Sequence, residues 1–191
     1  AKRGLVTIRD LQEARSFTES YDKLLVATGA YASPLRATVS ATAPPLFYLR
    51  SILDADRISQ SLTGVHKVVI LGGGYIGLEM AETFRLLGHT VTVVEMMPRV
   101  VPNFDPSVSL LVQTALEKNG VELFSGSGVT ELDAGSVALQ NGTRIPADLV
   151  LVATGVRPST ALATAAGVQL GLTGAIAVSP QMVTNIPNIY A

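Results

Sequence analysis

The 191-residue sequence contains no cysteine, which removes disulfides, thiolate metal sites and a cysteine nucleophile from this chain. Charge is also sparse: 15% of residues are Asp, Glu, Lys or Arg against 48% apolar, a balance that favours a large core over disorder. The formal net charge is −1 and no Lys/Arg cluster occurs, so there is no electrostatic footprint for nucleic acid. No apolar run reaches the roughly 18 residues a membrane span needs. The greasiest stretches, 68–71 and 149–153, are bounded by Gly, Lys, Asp or Thr and read as buried strands. His66 starts a strand and His89 lies in a tight helix-to-strand turn; both are expected to be solvated, and no His/acid pair has metal-ligand spacing. No serine sits on a nucleophile elbow. Repeats and low-complexity tracts are absent. The start, Ala1-Lys2-Arg3-Gly4, is not a secretory leader, and a cytoplasmic location is expected.

What is present has a clear periodicity. Residues 5–9 alternate like a half-buried strand, with a hairpin partner expected near 16–19. Leu24-Leu25-Val26-Ala27 reads as a fully buried parallel strand ending in Thr28-Gly29. A loop rich in Ala, Ser and Pro, 31–45, is the candidate domain junction. A helix follows over about 51–62, with Ile52, Leu53, Ile58 and Leu62 as its apolar positions. Next come a strand at 68–71, a glycine turn, and a helix to about Leu87 with Ile76, Met80, Phe84 and Leu87 on one face. A second strand, 91–94, ends in Glu95. Asp105 caps another helix, with Pro106 in its first turn and an expected stripe of Val108, Leu111, Val112, Ala115 and Leu116. A third parallel strand covers 121–124. Three short strands follow near 129–132, 136–139 and 143–145, the last two joined by Asn141-Gly142 as an expected type I′ turn. A buried strand at 149–153 ends in Thr154-Gly155, and the tail holds an Ala-rich helix at 160–166 and extended pieces at 176–178 and 188–190. The expected fold is α/β: a Rossmann-like three-layer domain with a parallel sheet and an antiparallel β-meander.

The chemistry concentrates at Gly72-Gly73-Gly74-Tyr75-Ile76-Gly77. In a G-x-G-x-x-G turn the first glycine permits the tight strand-to-helix turn, and the second lets a pyrophosphate approach the backbone. The third lets helix and strand pack closely. The pyrophosphate then lies on the helix N-terminus, where free N–H groups and the dipole favour negative charge. The pattern alone is weak. Here it follows a buried strand, opens an amphipathic helix, and precedes by 18 residues, counted from Gly77, an acid at the end of the next strand. Glu95 suits both adenosine ribose hydroxyls and would repel the 2′-phosphate of NADP, so NAD(H) is the expected cofactor. Arg99, four positions on, leaves NADP(H) as the lesser option. A methyltransferase using S-adenosylmethionine is disfavoured because Leu71, not an acid, precedes the glycines.

Four segments carry a resemblance: 21–30 (YDKLLVATGA), 72–82 (GGGYIGLEMAE), 148–158 (DLVLVATGVRP) and 184–191 (TNIPNIYA). In that order they resemble the flavin-dependent pyridine nucleotide–disulfide oxidoreductases, especially the coenzyme A-disulfide reductase and NADH oxidase/peroxidase branch. The resemblance implies an NAD(H)-binding domain at 46–157 inserted between two strips of an FAD-binding domain, 1–45 and 158–191. It implies that Tyr75 and Glu79 stand near the nicotinamide, that Gly155 lets the nicotinamide end approach the backbone, and that Phe104 lies near the adenosine half. A surface aromatic, a solvated helix acid and, for Phe104, core or lid packing are the plain alternatives. Thr28 and Gly29 would face FAD in the intact enzyme.

The departures from the family are equally informative. A complete member opens with its own glycine loop for FAD and a redox cysteine, and ends in a dimerisation domain; none of these is here. The expectation is therefore a piece of a longer enzyme, as Ala1-Lys2-Arg3 without an initiating Met also suggests, which positions NADH for hydride transfer to FAD. Alone it would bind NADH, hold no FAD, contain no catalytic or metal-binding residue and be inactive. Its partners would be the nucleotide and the rest of the FAD and dimerisation domains, with neither nucleic acid nor membrane. A non-catalytic module sensing the NADH/NAD ratio is the alternative; a stand-alone dehydrogenase lacks an acid/base group and substrate domain.

Overall fold

A computed structural model describes residues 4–191; the expected start of the first strip, residues 1–3, lies outside the described residues. Along the chain run β1 (Leu5–Arg9), β2 (Ser16–Ser20), β3 (Leu24–Leu25), β4 (Ala30–Ala32), β5 (Thr38–Val39) and β6 (Leu46–Tyr48). Then come α1 (Ile52–Gln60), β7 (Lys67–Leu71), α2 (Tyr75–Leu86), β8 (Thr90–Glu95), α3 (Pro106–Lys118) and β9 (Val121–Ser125). The remainder is β10 (Val129–Asp133), β11 (Ser136–Leu139), β12 (Arg144–Pro146), β13 (Leu149–Val152), β14 (Val156–Pro158), α4 (Ala161–Ala165) and β15 (Ile189–Tyr190). These elements form two compact units, 4–31 with 157–191, and 32–156. No helix among the described residues is long and apolar enough to cross a membrane.

The larger unit is built in three layers. Its central sheet is parallel, in the order β6-β13-β7-β8-β9. Because successive strand residues face opposite ways, a continuous apolar run serves two cores at once. Val68, Ile70, Leu149 and Leu151 pack on one side with Ile58 of α1 and Ala81 and Phe84 of α2. Val69, Leu71, Val150 and Val152 pack on the other with Leu132, Val137, Leu139 and Ile145 of the antiparallel meander β10-β11-β12.

The helix faces match the expected ones only in part: Ile58 and Phe84 are buried and Leu62, Met80 and Leu116 pack against the same core, as expected. On α2 the buried line is Gly77, Ala81 and Phe84, while Ile76 and Leu87 are exposed. On α3 the buried residue is Ser109; Val112 and Leu116 are half-buried, and Val108, Leu111 and Ala115 face out. On α1 Ile58 is buried but Ile52 and Leu53 are exposed. Gly77 and Ala81 let α2 lie close to the sheet, and Phe84 fills the core one turn further on. Asn141-Gly142 is not a type I′ turn: only Gly142 has positive φ (86°), and its N–H donates to Leu139 O (3.0 Å). The loop is a type I turn closed by a glycine bulge, the solution for three connecting residues.

Residues 31–45, expected as a junction loop, instead hold β5, which pairs in parallel with β10, and Leu35, Ala37 and Ala43, which pack on the meander-side core. The larger compact unit includes these residues from Ala32 on. Strands of two or three residues carry too little periodicity to be read locally. His89, expected to be solvated, is buried: its Nδ1 lies 3.1 Å from Val65 O and its ring meets Phe84 edge-on. In this turn between α2 and β8 the ring nitrogen and the Val65 carbonyl satisfy each other.

In the smaller unit β1 and β2 form the expected antiparallel hairpin, and β3 pairs with β15 in parallel. The expected fully buried strand at 24–27 is shorter and more open, with Leu25 exposed, because its sheet has two strands and one covering layer. That layer is a small cluster of Ala163, Val168 and Ile189 backed by Leu24, Val26 and Ile186.

Asp148 joins two neighbouring strand starts: its Oδ2 accepts the N–H groups of His66 (2.9 Å) and Lys67 (2.8 Å). These bonds hold its carboxyl below the usual aspartate pKa. A lowered folded-state pKa stabilises above the unfolded value, about 3.9, and the benefit is lost as pH falls through the folded one. Asp148→Ala should therefore lower the thermal midpoint by a few degrees at pH 7, with the gap to wild type closing below about pH 4 in a pH series of melts. A gap unchanged at acid pH would assign the loss to packing.

Candidate functional site

The glycine turn joins the buried end of β7 to α2, and its glycines have unlike surroundings. Gly72 has φ +114°, and a Cβ there would collide with the carbonyl of Ala153 at the end of β13. A Cβ on Gly77 would strike the carbonyl of Gly72, and one on Gly73 would come within 2.7 Å of Val100 Cγ1. Gly74 alone of the turn glycines has open space where a side chain would be. It is also the N-cap of α2, without a side-chain cap and without an acid in the first turn. The first turn of α2 thus starts uncapped beside open space, at a residue with no side chain. That is the arrangement an anion needs.

Glu95, half-buried at the end of β8, is tied to this turn. Its Oε2 accepts from Gly73 N–H at 2.6 Å and its Oε1 from Met97 N–H at 2.7 Å. One carboxylate therefore fixes both the middle of the glycine turn and the loop after β8. Val101 closes the same loop over the turn by donating its N–H to Gly73 O (2.9 Å). It does so with φ +40°, a conformation β-branched residues avoid, while its side chain is buried. Sequence reading missed Val101, since a valine in the left-handed region leaves no pattern. It also missed the Met97 N–H.

Tyr75, the first residue of α2, is exposed and meets Phe104 edge-to-face, centroids 5.9 Å apart. The two residues expected at opposite ends of a dinucleotide are thus neighbours beside the turn. Ile76 and Glu79 line a hollow of about 440 Å³ with Arg50, Ile52, Met80 and Val156. Glu79 is exposed and its carbonyl accepts from Thr83 Oγ1. Gly155 has φ +99°, open space on its Cα, and a carbonyl accepting from Ser33 N–H (2.9 Å). Arg99 is half-buried, its Nε without a hydrogen-bond partner among the described residues, and its charge adds to the hydrogen bonds from Ser107 that lower the Asp105 pKa.

In the smaller unit Thr28 Oγ1 donates to Ser159 O (2.6 Å), and Gly29, φ +68°, accepts from Ser159 N–H (2.9 Å). Both line a cavity of about 210 Å³ with Val26, Pro158, Ile176 and Val178.

Comparison with known proteins matches this geometry. The family model described as pyridine nucleotide-disulphide oxidoreductase covers residues 1–191. An NADH oxidase of Methanocaldococcus jannaschii is 36% identical over 188 residues, covering 94% of this chain and 41% of its own length. The reduced Bacillus anthracis CoADR-RHD structure superposes with a TM-score of 0.92 at 33% identity, covering 99% of this chain and 35% of that one. The water-forming NADH oxidase of Lactobacillus brevis bound to NADH superposes at 0.89 with 26% identity, covering 99% and 42%. The chain thus spans about 40% of the length of the relatives it matches.

Proposed function

The chain belongs to the pyridine nucleotide-disulphide oxidoreductase family, and we propose that it supplies the NAD(H)-binding part of a flavin-dependent oxidoreductase. The observation that carries this reading is the contrast within one turn: three glycines are compelled by protein atoms, while Gly74 faces open space at an uncapped helix start. Folding alone explains the first three. A ligand that must come against the backbone explains the fourth. The larger unit, 32–156, is the nucleotide domain in this reading, and 4–31 with 157–191 belong to the flavin-binding domain.

The residues present fit NAD(H). Gly72, Gly73 and Gly74 with the start of α2 would take the pyrophosphate, and Glu95 the adenosine ribose, disfavouring NADP(H) by charge repulsion. Tyr75, Ile76, Glu79 and Gly155 would hold the nicotinamide end, with Phe104 packed on Tyr75. NADH bound there supplies a hydride; the chain's contribution is to orient the nucleotide and exclude water. For FAD the fit is incomplete. Thr28 and Gly29 offer a wall, but the chain has a single G-x-G-x-x-G turn and it is the one assigned to NAD(H). No step through the flavin is derived, and electron transfer belongs to the longer enzyme.

The test is calorimetric titration of this chain with NADH, NADPH and FAD. Saturable NADH binding at or below the order of 1 mM is expected, with weaker NADPH binding and no FAD retained on purification. Absence of NADH binding at that concentration, or a preference for NADPH, overturns the reading.

A further inference from the structure

The loop after β8 carries two sulfur atoms that the function above does not use. With no cysteine in the chain, the four methionines hold all of its sulfur. Met80 is half-buried against the helix-side core. Met96 and Met97 are adjacent, 68% and 45% exposed, and belong to no core cluster. The backbone that carries them is hydrogen-bonded to the chain around it. Met97 N–H donates to Glu95 Oε1, Met97 O accepts from Gly126 N–H at 2.9 Å, and Glu95 O accepts from Ser127 N–H at 3.4 Å. Two large apolar side chains are therefore held into solvent within two residues of the carboxylate assigned to the adenosine ribose.

We propose that Met96 and Met97 form an oxidation-sensitive apolar platform for the adenine, so that hydroperoxides lower NADH affinity by converting them to sulfoxides. The inference rests on the NAD(H) reading above. A thioether suits an aromatic heterocycle because sulfur is polarizable and the side chain adapts its shape. In the oxidation step a thioether lone pair attacks one oxygen of hydrogen peroxide, the S–O bond forms as the O–O bond breaks, and the departing hydroxide takes the proton of the new sulfur-bound hydroxyl to leave as water; an organic hydroperoxide would release the corresponding alcohol. Sulfur is oxidised by two electrons and the peroxide reduced by two. The product is polar and chiral, no longer matches an apolar ring face, and is restored enzymatically by methionine sulfoxide reductases.

The experiment treats this chain with hydrogen peroxide, with and without saturating NADH, maps oxygen uptake by peptide mass spectrometry and titrates NADH before and after. Oxidation of Met96 and Met97 should weaken NADH binding about fivefold, and treatment with methionine sulfoxide reductases should restore it. Bound NADH should slow their oxidation but not that of Met182, which is 56% exposed and serves as the internal control. For the double variant Met96→Leu, Met97→Leu, the ratio of treated to untreated affinity should stay near one, whatever its starting value. Unchanged affinity after full oxidation of both residues, an equal loss in the double variant, or no protection by NADH overturns the proposal. If the untreated chain binds no NADH, the NAD(H) reading falls and this proposal falls with it; binding that is indifferent to oxidation removes this proposal alone.

Discussion

Gly77→Ala is expected to lower the thermal midpoint of this chain by about 4–8 °C, whereas Gly74→Ser is expected to leave it unchanged or slightly higher. The new methyl group at position 77 would overlap the carbonyl of Gly72, which is itself locked by a hydrogen bond from its N–H to Val94 O at 2.7 Å. Neither partner is a flexible side chain, so α2 must move off the sheet. Overpacking of this kind costs about 3 kcal/mol or more, against which the better helix propensity of alanine returns only about 1 kcal/mol. At position 74 the balance reverses. The backbone there, φ −87° and ψ −175°, is open to any residue, and serine is a preferred N-cap. Yet its side chain would occupy the space assigned to the pyrophosphate, so NADH affinity should fall by about one to two orders of magnitude. Melting curves and NADH titrations on the two variants separate the roles. A Gly74→Ser protein that binds NADH as well as wild type would remove the observation on which the functional reading stands.

Replacing Glu95 by alanine should act on fold and cofactor choice together. Gly73 N–H is buried and would lose its acceptor, and Met97 N–H would lose its own. An unpaired buried donor costs about 1–3 kcal/mol, so a fall of several degrees in the thermal midpoint is expected. The nucleotide effect should be larger in relative terms. Loss of the ribose acceptor should weaken NADH about tenfold or more, while removal of the negative charge should improve NADPH, bringing the two affinities close to each other. Titration of the variant with both nucleotides reads this directly. If discrimination against NADPH persists in Glu95→Ala, the carboxylate serves only to tie the turn, and specificity lies elsewhere in the loop.

The glycine turn and Glu95 were legible in the sequence because each is a local consequence of chain geometry. A strand of consecutive apolar residues, three glycines at fixed spacing and an acid at the end of the next strand can be recognised without knowing what packs on them. The same holds for Asp105 as a cap and for the two-sided strand at 149–152, whose alternate residues enter opposite cores. The helix faces were only partly legible at the level of individual residues. Phe84 is buried as expected, but Ile76, Leu87 and Leu111, which have the periodicity of core positions, are exposed, and Gly77 and Ala81 are buried.

Contacts between residues remote in the chain lay equally beyond local reading. The pairing of β5 with β10 depends on a partner more than 90 positions away. The burial of His89, the left-handed Val101 above Gly73 and the meeting of Tyr75 with Phe104 are of the same kind. By itself the sequence determined that a glycine turn follows a buried strand, where it lies and which acid ends the next strand, since these follow from steric limits acting within a few residues. Only the tertiary structure decided which glycine faces open space and which are consumed by packing, because that depends on where the ends of β13 and α2 come to rest.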